Sequence, residues 1–148
     1  MSLKDWERKG WVDKHKTSPQ EIEGLFQIAD RDLKDCQSRD LSDDWQLNIA
    51  YNAALQSAKA ALAAAGYRAS REAQHFRTIQ SLAFTLRSDK AIINKLDKFR
   101  KKRNISDYER AGLVSEGEVR EAISLAQQLR KKTEEWIRSN YPHLLTAG

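Results

Sequence analysis

One cysteine, two prolines and six glycines are all that 148 residues contain of these types. The lone Cys36 excludes an internal disulfide and any cysteine-rich zinc site. It falls at helical spacing from Ala29 and Leu33, which is the place of a small buried or half-buried hydrophobe. With so few breakers, and with abundant Ala, Leu, Gln, Lys and Glu, the composition favours helix over strand, and little or no β-structure is expected. No apolar run approaches the roughly 20 residues needed to cross a bilayer, and the polar N-terminus does not read as a signal segment. A soluble, cytoplasmic protein without membrane contact is the expectation. The chain also lacks a glycine-rich phosphate loop, an HExxH helix, a Cys/His zinc pattern and a nucleophile elbow. No metal and no cofactor is therefore expected, and most enzyme classes lose their support.

What the chain does have is positive charge and helical period. Its formal net charge is +5, and residues 98 to 103 alone carry five cationic side chains. That balance suits an anionic partner. The length is that of one domain with one core.

Five helical segments can be read from caps and apolar stripes. Ser18-Pro19-Gln20-Glu21 is a capping box with proline at the first helical position, followed by Ile22, Leu25, Phe26, Ala29, Leu33 and Cys36. Ser42 caps a second, long helix that packs through Trp45, Ile49, Ala50 and the alanines from 53 to 65, and Gly66 ends it. Its small residues let neighbours approach closely, so this helix is expected at the centre. Asn48, Asn52 and Gln56 form a polar ladder on it, either facing solvent or lining a groove. Ser70 is the expected cap of a third helix bearing His75, Phe76, Ile79 and Leu82; Ser88-Asp89 starts a fourth; and the capping box Ser115 to Glu118 starts a fifth that Pro142 stops. Short connections give an all-α, up-and-down antiparallel bundle of four to five helices. It occupies residues 19–142, between an N-terminal arm (1–18) that holds Trp6 and Trp11 without a clear period and a short tail (143–148).

Candidate chemistry concentrates on the fourth helix. Stepping 100° per residue from Ile92, Leu96 and Phe99 lie within about 60° of it, and Arg103 falls in the middle of that apolar arc, with Arg100 and Asp107 at its edge. An arginine on a buried stripe must be paired or must line a groove or subunit interface. Its planar fork of donors suits phosphate or carboxylate, Asp107 stands one turn on, and Asn104 and Tyr108 add uncharged hydrogen-bonding groups. The candidate ligand-binding set is Arg100, Arg103, Asn104, Asp107, Tyr108 and Asn52. Candidates for chemistry are Arg103, Asn104, Tyr108 and His75, the last a general acid or base with Arg68 and Arg71 shortly before it.

At Arg103-Asn104-x-x-Asp107-Tyr108, at Ile49-Ala50-Tyr51-Asn52-Ala53-Ala54 and at Gly66-Tyr67-Arg68, the chain resembles the HEPN superfamily of small helical bundles. The resemblance implies a bundle of four or five helices, commonly homodimeric, with the motif-bearing helices facing a cleft. Many members are metal-independent ribonucleases with an arginine, four to six residues, then a histidine. Others bind RNA or nucleotide, or partner a minimal nucleotidyltransferase in toxin–antitoxin pairs. Four residues intervene between Arg103 and Tyr108, which stands in the place of the histidine. A tyrosine is a poor base at neutral pH, so the resemblance favours a non-catalytic or weakly active homodimer that binds RNA or nucleotide. Two alternatives stay open: a ribonuclease using Arg103 with Asn104, Tyr108 or His75, and a purely structural adaptor.

Overall fold

The structure, a computed structural model, describes the backbone of residues 1–108 and 114–145 and, within these, every side chain except those of residues 105–108. Among the described residues six helices and one small sheet appear: α1 Leu3–Arg8, β1 Val12–Lys14, α2 Pro19–Asp35, α3 Asp43–Ala64, β2 Tyr67–Ala69, α4 Gln74–Gln80, α5 Lys90–Tyr108 and α6 Glu116–Asn140. A 3₁₀ turn, Ser81–Ala83, extends α4, and another, Pro142–Leu145, follows α6. The fold is an all-α bundle.

Local chemistry sets most of the boundaries. Ser18, Ser42 and Ser115 accept from the backbone N–H groups of Glu21, Trp45 and Glu118, and at Ser115 the Glu118 carboxylate returns the bond to complete a capping box. Gly66, at φ 95°, turns the chain out of α3 as only glycine does without strain. Ser70 does not cap the next helix. Its N–H is bonded to the Trp11 carbonyl and its hydroxyl to Asp13, because the chain first makes β2. The helix starts four residues later, after Ala73 in the left-handed region at φ 55°.

α3 occupies the centre. Ala50, Ala53, Ala54, Ala58, Ala60 and Ala61 are all buried, and α2 and α6 pack against it. Ile22 and Phe26, early in α2, cluster with Ala60, Ala63 and Ala64, late in α3, so these two helices run antiparallel. Gln46 fastens the turn between them by donating to the carbonyls of Cys36 and Ser38. Cys36 is buried, and burial together with the Asp32 charge pushes its thiol up to about 11, a value that suits packing rather than reactivity. In α6, Val119 to Leu129 join the cluster at the start of α3 and Ile137 the one at its end, so α6 runs in the same sense as α3. Trp45, expected on the packed side, is 59% exposed, since it sits in the first turn of α3 and joins no core cluster among the described residues.

Residues 1–18 carry no readable period, yet they pack on the body. Trp6 is 5% exposed, edge-to-face with Phe84 (5.0 Å) and Trp11 (5.8 Å), and the Arg77 guanidinium lies 3.6 Å from the Trp11 ring centre. β1 pairs antiparallel with β2 in the register Val12 to Ala69 and Lys14 to Tyr67. Trp6→Ala is expected to cost about 3 kcal/mol, read as a shift of the urea midpoint, because it empties a buried aromatic site.

Candidate anion-binding face on the central helix

The polar ladder of α3 lies half-buried between neighbouring helices. The Asn52 amide donates to Asp32 of α2 (2.7 Å) and its carbonyl oxygen accepts from Gln56 (3.1 Å). Asp32 also pairs with Arg31, so a carboxylate that is only 6% exposed keeps its charge satisfied. Asn52 is thereby committed to holding α2 against α3. One turn earlier, the Asn48 carbonyl oxygen accepts from the Arg103 Nε at 2.5 Å, across to α5.

Arg103 is half-buried, as its place on the apolar stripe of α5 requires, and its neighbours Leu96 and Phe99 are buried. It meets a neutral amide and not a carboxylate: among the described residues no acid pairs with it. Its guanidinium sits 5.7 Å from the centre of the Tyr51 ring. Arg100, one turn back, pairs with Asp97 (2.8 Å), which it shares with Lys101 (3.4 Å), and it lies 5.5 Å from the Phe76 ring centre. Arg100 therefore has a local counter-charge, whereas among the described residues Arg103 has none.

Two titratable groups register these cations. Burial pushes the Tyr51 phenol well above its ordinary range, against the pull of Arg100 and Arg103, and its buried hydroxyl has no hydrogen-bond partner among the described residues. His75 opens α4 on the surface above α5. Partial desolvation first, then the charges of Arg103, Lys59 and Arg100, hold its pKa below the ordinary histidine value, so the ring is neutral at pH 7. Arg100, Arg103, Lys59 and His75 thus come together from three helices beside the α3 ladder.

A family model for the HEPN domain matches residues 22–136. The chain belongs to the HEPN family. A search of curated proteins finds no relative that matches. The match covers α2 to α6 up to Trp136, and hence every helix that builds this face.

Of the residues singled out in the sequence, the HEPN bundle brings Arg100, Arg103, Asn52 and His75 to one side of α3. Asn104 is exposed one residue beyond Arg103. The side chains of Asp107 and Tyr108 lie outside the described residues, and the partner that Arg103 does show is Asn48. Sequence reasoning missed Lys59, Tyr51, Asp97 and Phe76. Lys59 was within reach, since Asn48, Asn52, Gln56 and Lys59 follow one helical stripe. His75 is expected to titrate below the usual ~6.5 in an imidazole NMR titration, and Arg103→Gln to move it back upward. The sign follows from the lowered folded-state pKa: as pH falls through about 6.5 the unfolded chain takes up this proton first, so folding stability declines, and it declines less in Arg103→Gln. Tyr51→Phe removes a hydroxyl that has no hydrogen-bond partner among the described residues and is expected to leave the melting temperature unchanged or raised.

Proposed function

We propose that this face binds the phosphates of RNA or of a nucleotide, and that the chain acts as a homodimeric HEPN module with little or no catalysis of its own. The observation that carries the reading is Arg103. Its half-buried guanidinium is held by a neutral amide and meets no carboxylate among the described residues, so its orientation is set before a ligand arrives. Phosphate suits such a fork because it accepts two parallel N–H bonds, and Lys59 and Arg100 reinforce the field around it. A minimal nucleotidyltransferase partner, as in toxin–antitoxin pairs, belongs to the same proposal.

One observation favours a second reading as a metal-independent ribonuclease. A neutral His75 within the field of Arg103 has the protonation state of a general base, and the arginine whose charge it feels is of the type that stabilises the extra negative charge of a phosphorane.

Affinity for short single-stranded RNA, followed by fluorescence anisotropy across a salt series, tests the binding reading. Arg103→Gln is expected to weaken binding about tenfold and to reduce the salt slope by about one. Unchanged affinity and slope in both Arg103→Gln and Arg100→Gln overturn it and leave the structural adaptor. Cleavage of the same RNA that disappears in His75→Ala supports the ribonuclease, and intact RNA after prolonged incubation removes it.

A further inference from the structure

The α3 stripe does not end at the arginines. From Asn48 to Lys59 is eleven residues, or about 16 Å of helix. At Lys59 the stripe opens into a pocket of about 270 Å3 between α2, α3, β2 and the start of α4. Its inner wall is Leu62, Ala63, Ala69 and Thr78, all buried. Leu25 and Tyr67, both half-buried, add apolar surface, and Lys59, Arg68 and Gln74 also line it.

The side toward the arm is closed by a small network. His15 Nε2 donates to both carboxylate oxygens of Glu21 (2.8 and 3.0 Å), and the Thr17 hydroxyl donates to the same carboxylate. The strand pair sets His15 in place, because its N–H is bonded to the Gly66 carbonyl at the end of the ribbon. Burial alone raises the Glu21 pKa, but the bonds from Thr17 and His15 and the charges of His15 and Lys59 outweigh it and hold the group ionised. Against this one engaged carboxylate stand Lys59, whose charge acts on it, and Arg68, and among the described residues neither cation forms a salt bridge. His15, Thr17 and Glu21 all precede the HEPN match, which begins at residue 22.

An apolar slot with two cations at its mouth selects an anion that has a flat, weakly polar body. We infer that the pocket takes one nucleoside monophosphate unit, its base against Leu25, Leu62 and Tyr67 and its phosphate on Lys59 and Arg68. The choice of nucleotide over other aromatic anions rests on the phosphate-binding reading of the adjoining arginine face. The volume lies near the lower end of small-molecule sites, which matches a single unit and not a longer piece of strand. That unit is either a free mononucleotide or the phosphorylated end of an RNA strand that continues over His75 toward Arg103.

Titration of the full chain with AMP, GMP, CMP and UMP at millimolar concentration, followed by two-dimensional NMR and calorimetry, tests the site. Shifts confined to the resonances of Tyr67, Gln74 and Lys59, with affinity falling about tenfold in Arg68→Gln and again in Lys59→Gln, are the expected result. No shift with any of the four nucleotides, or equal affinity in wild type, Arg68→Gln and Lys59→Gln, overturns it. Competition between the bound mononucleotide and an RNA carrying a 5′-phosphate, absent for the same RNA with a 5′-hydroxyl, assigns the pocket to strand ends. Mononucleotide binding without such competition assigns it to the free nucleotide. Arg103→Gln separates the two proposals: lost RNA affinity beside an unchanged mononucleotide titration fails the pocket only if Arg68→Gln is also silent. Conversely, RNA affinity indifferent to Arg103 fails the arginine face alone.

Discussion

The bundle depends on the near absence of side-chain bulk along two sides of α3. Alanine at 50, 53, 54, 58, 60 and 61 lets α2 and α6 lie close to its backbone, where dispersion and apolar burial hold the three helices together. A helix used in this way has one remaining side, and that side carries Asn48, Asn52, Gln56 and Lys59. These residues are too polar to be covered by an apolar neighbour and too close to α2 and α5 to be left to water. Asn52 is satisfied by Asp32 and Gln56, and Asn48 by Arg103, which is how the packing problem and the candidate site come to share residues.

Much of this architecture is written in local signals. Serine caps, a glycine stop and unbroken apolar stripes mark α2, α3 and α6, and the small-residue face identifies the central helix before any contact is known. The arm was less legible. A six-residue helix and three-residue strands are too short to show a period, and their placement rests on Trp6 finding Phe84 and on β1 finding β2 far along the chain. Ser70 misleads for the same reason, because its bonds go to Trp11 and Asp13, and no local pattern announces a strand partner more than fifty residues away.

The candidate site shows the same division. That Arg103 interrupts an apolar arc is a one-dimensional fact and was readable. That an asparagine fifty-five residues earlier receives it is a fact about how α3 and α5 cross. Spacing along one helix offers only i+4 partners such as Asp107, whereas the partner seen among the described residues is an uncharged one brought in by tertiary packing. The difference matters chemically. A carboxylate partner neutralises a guanidinium, and an amide orients it while leaving the charge in place.

Val12 to Lys14 is joined to Tyr67 to Ala69 by backbone bonds, which are indifferent to side-chain identity, and most of the arm's remaining hold comes from the tryptophans at its other end. Residues 15 to 17 hang between that ribbon and the first turn of α2 like a replaceable cuff. Their side chains can be exchanged while the bundle core, built from α2, α3 and α6, keeps every one of its contacts. The molecule thus separates what keeps it folded from what shapes one wall of its pocket, and selectivity there is free to vary at little cost to stability.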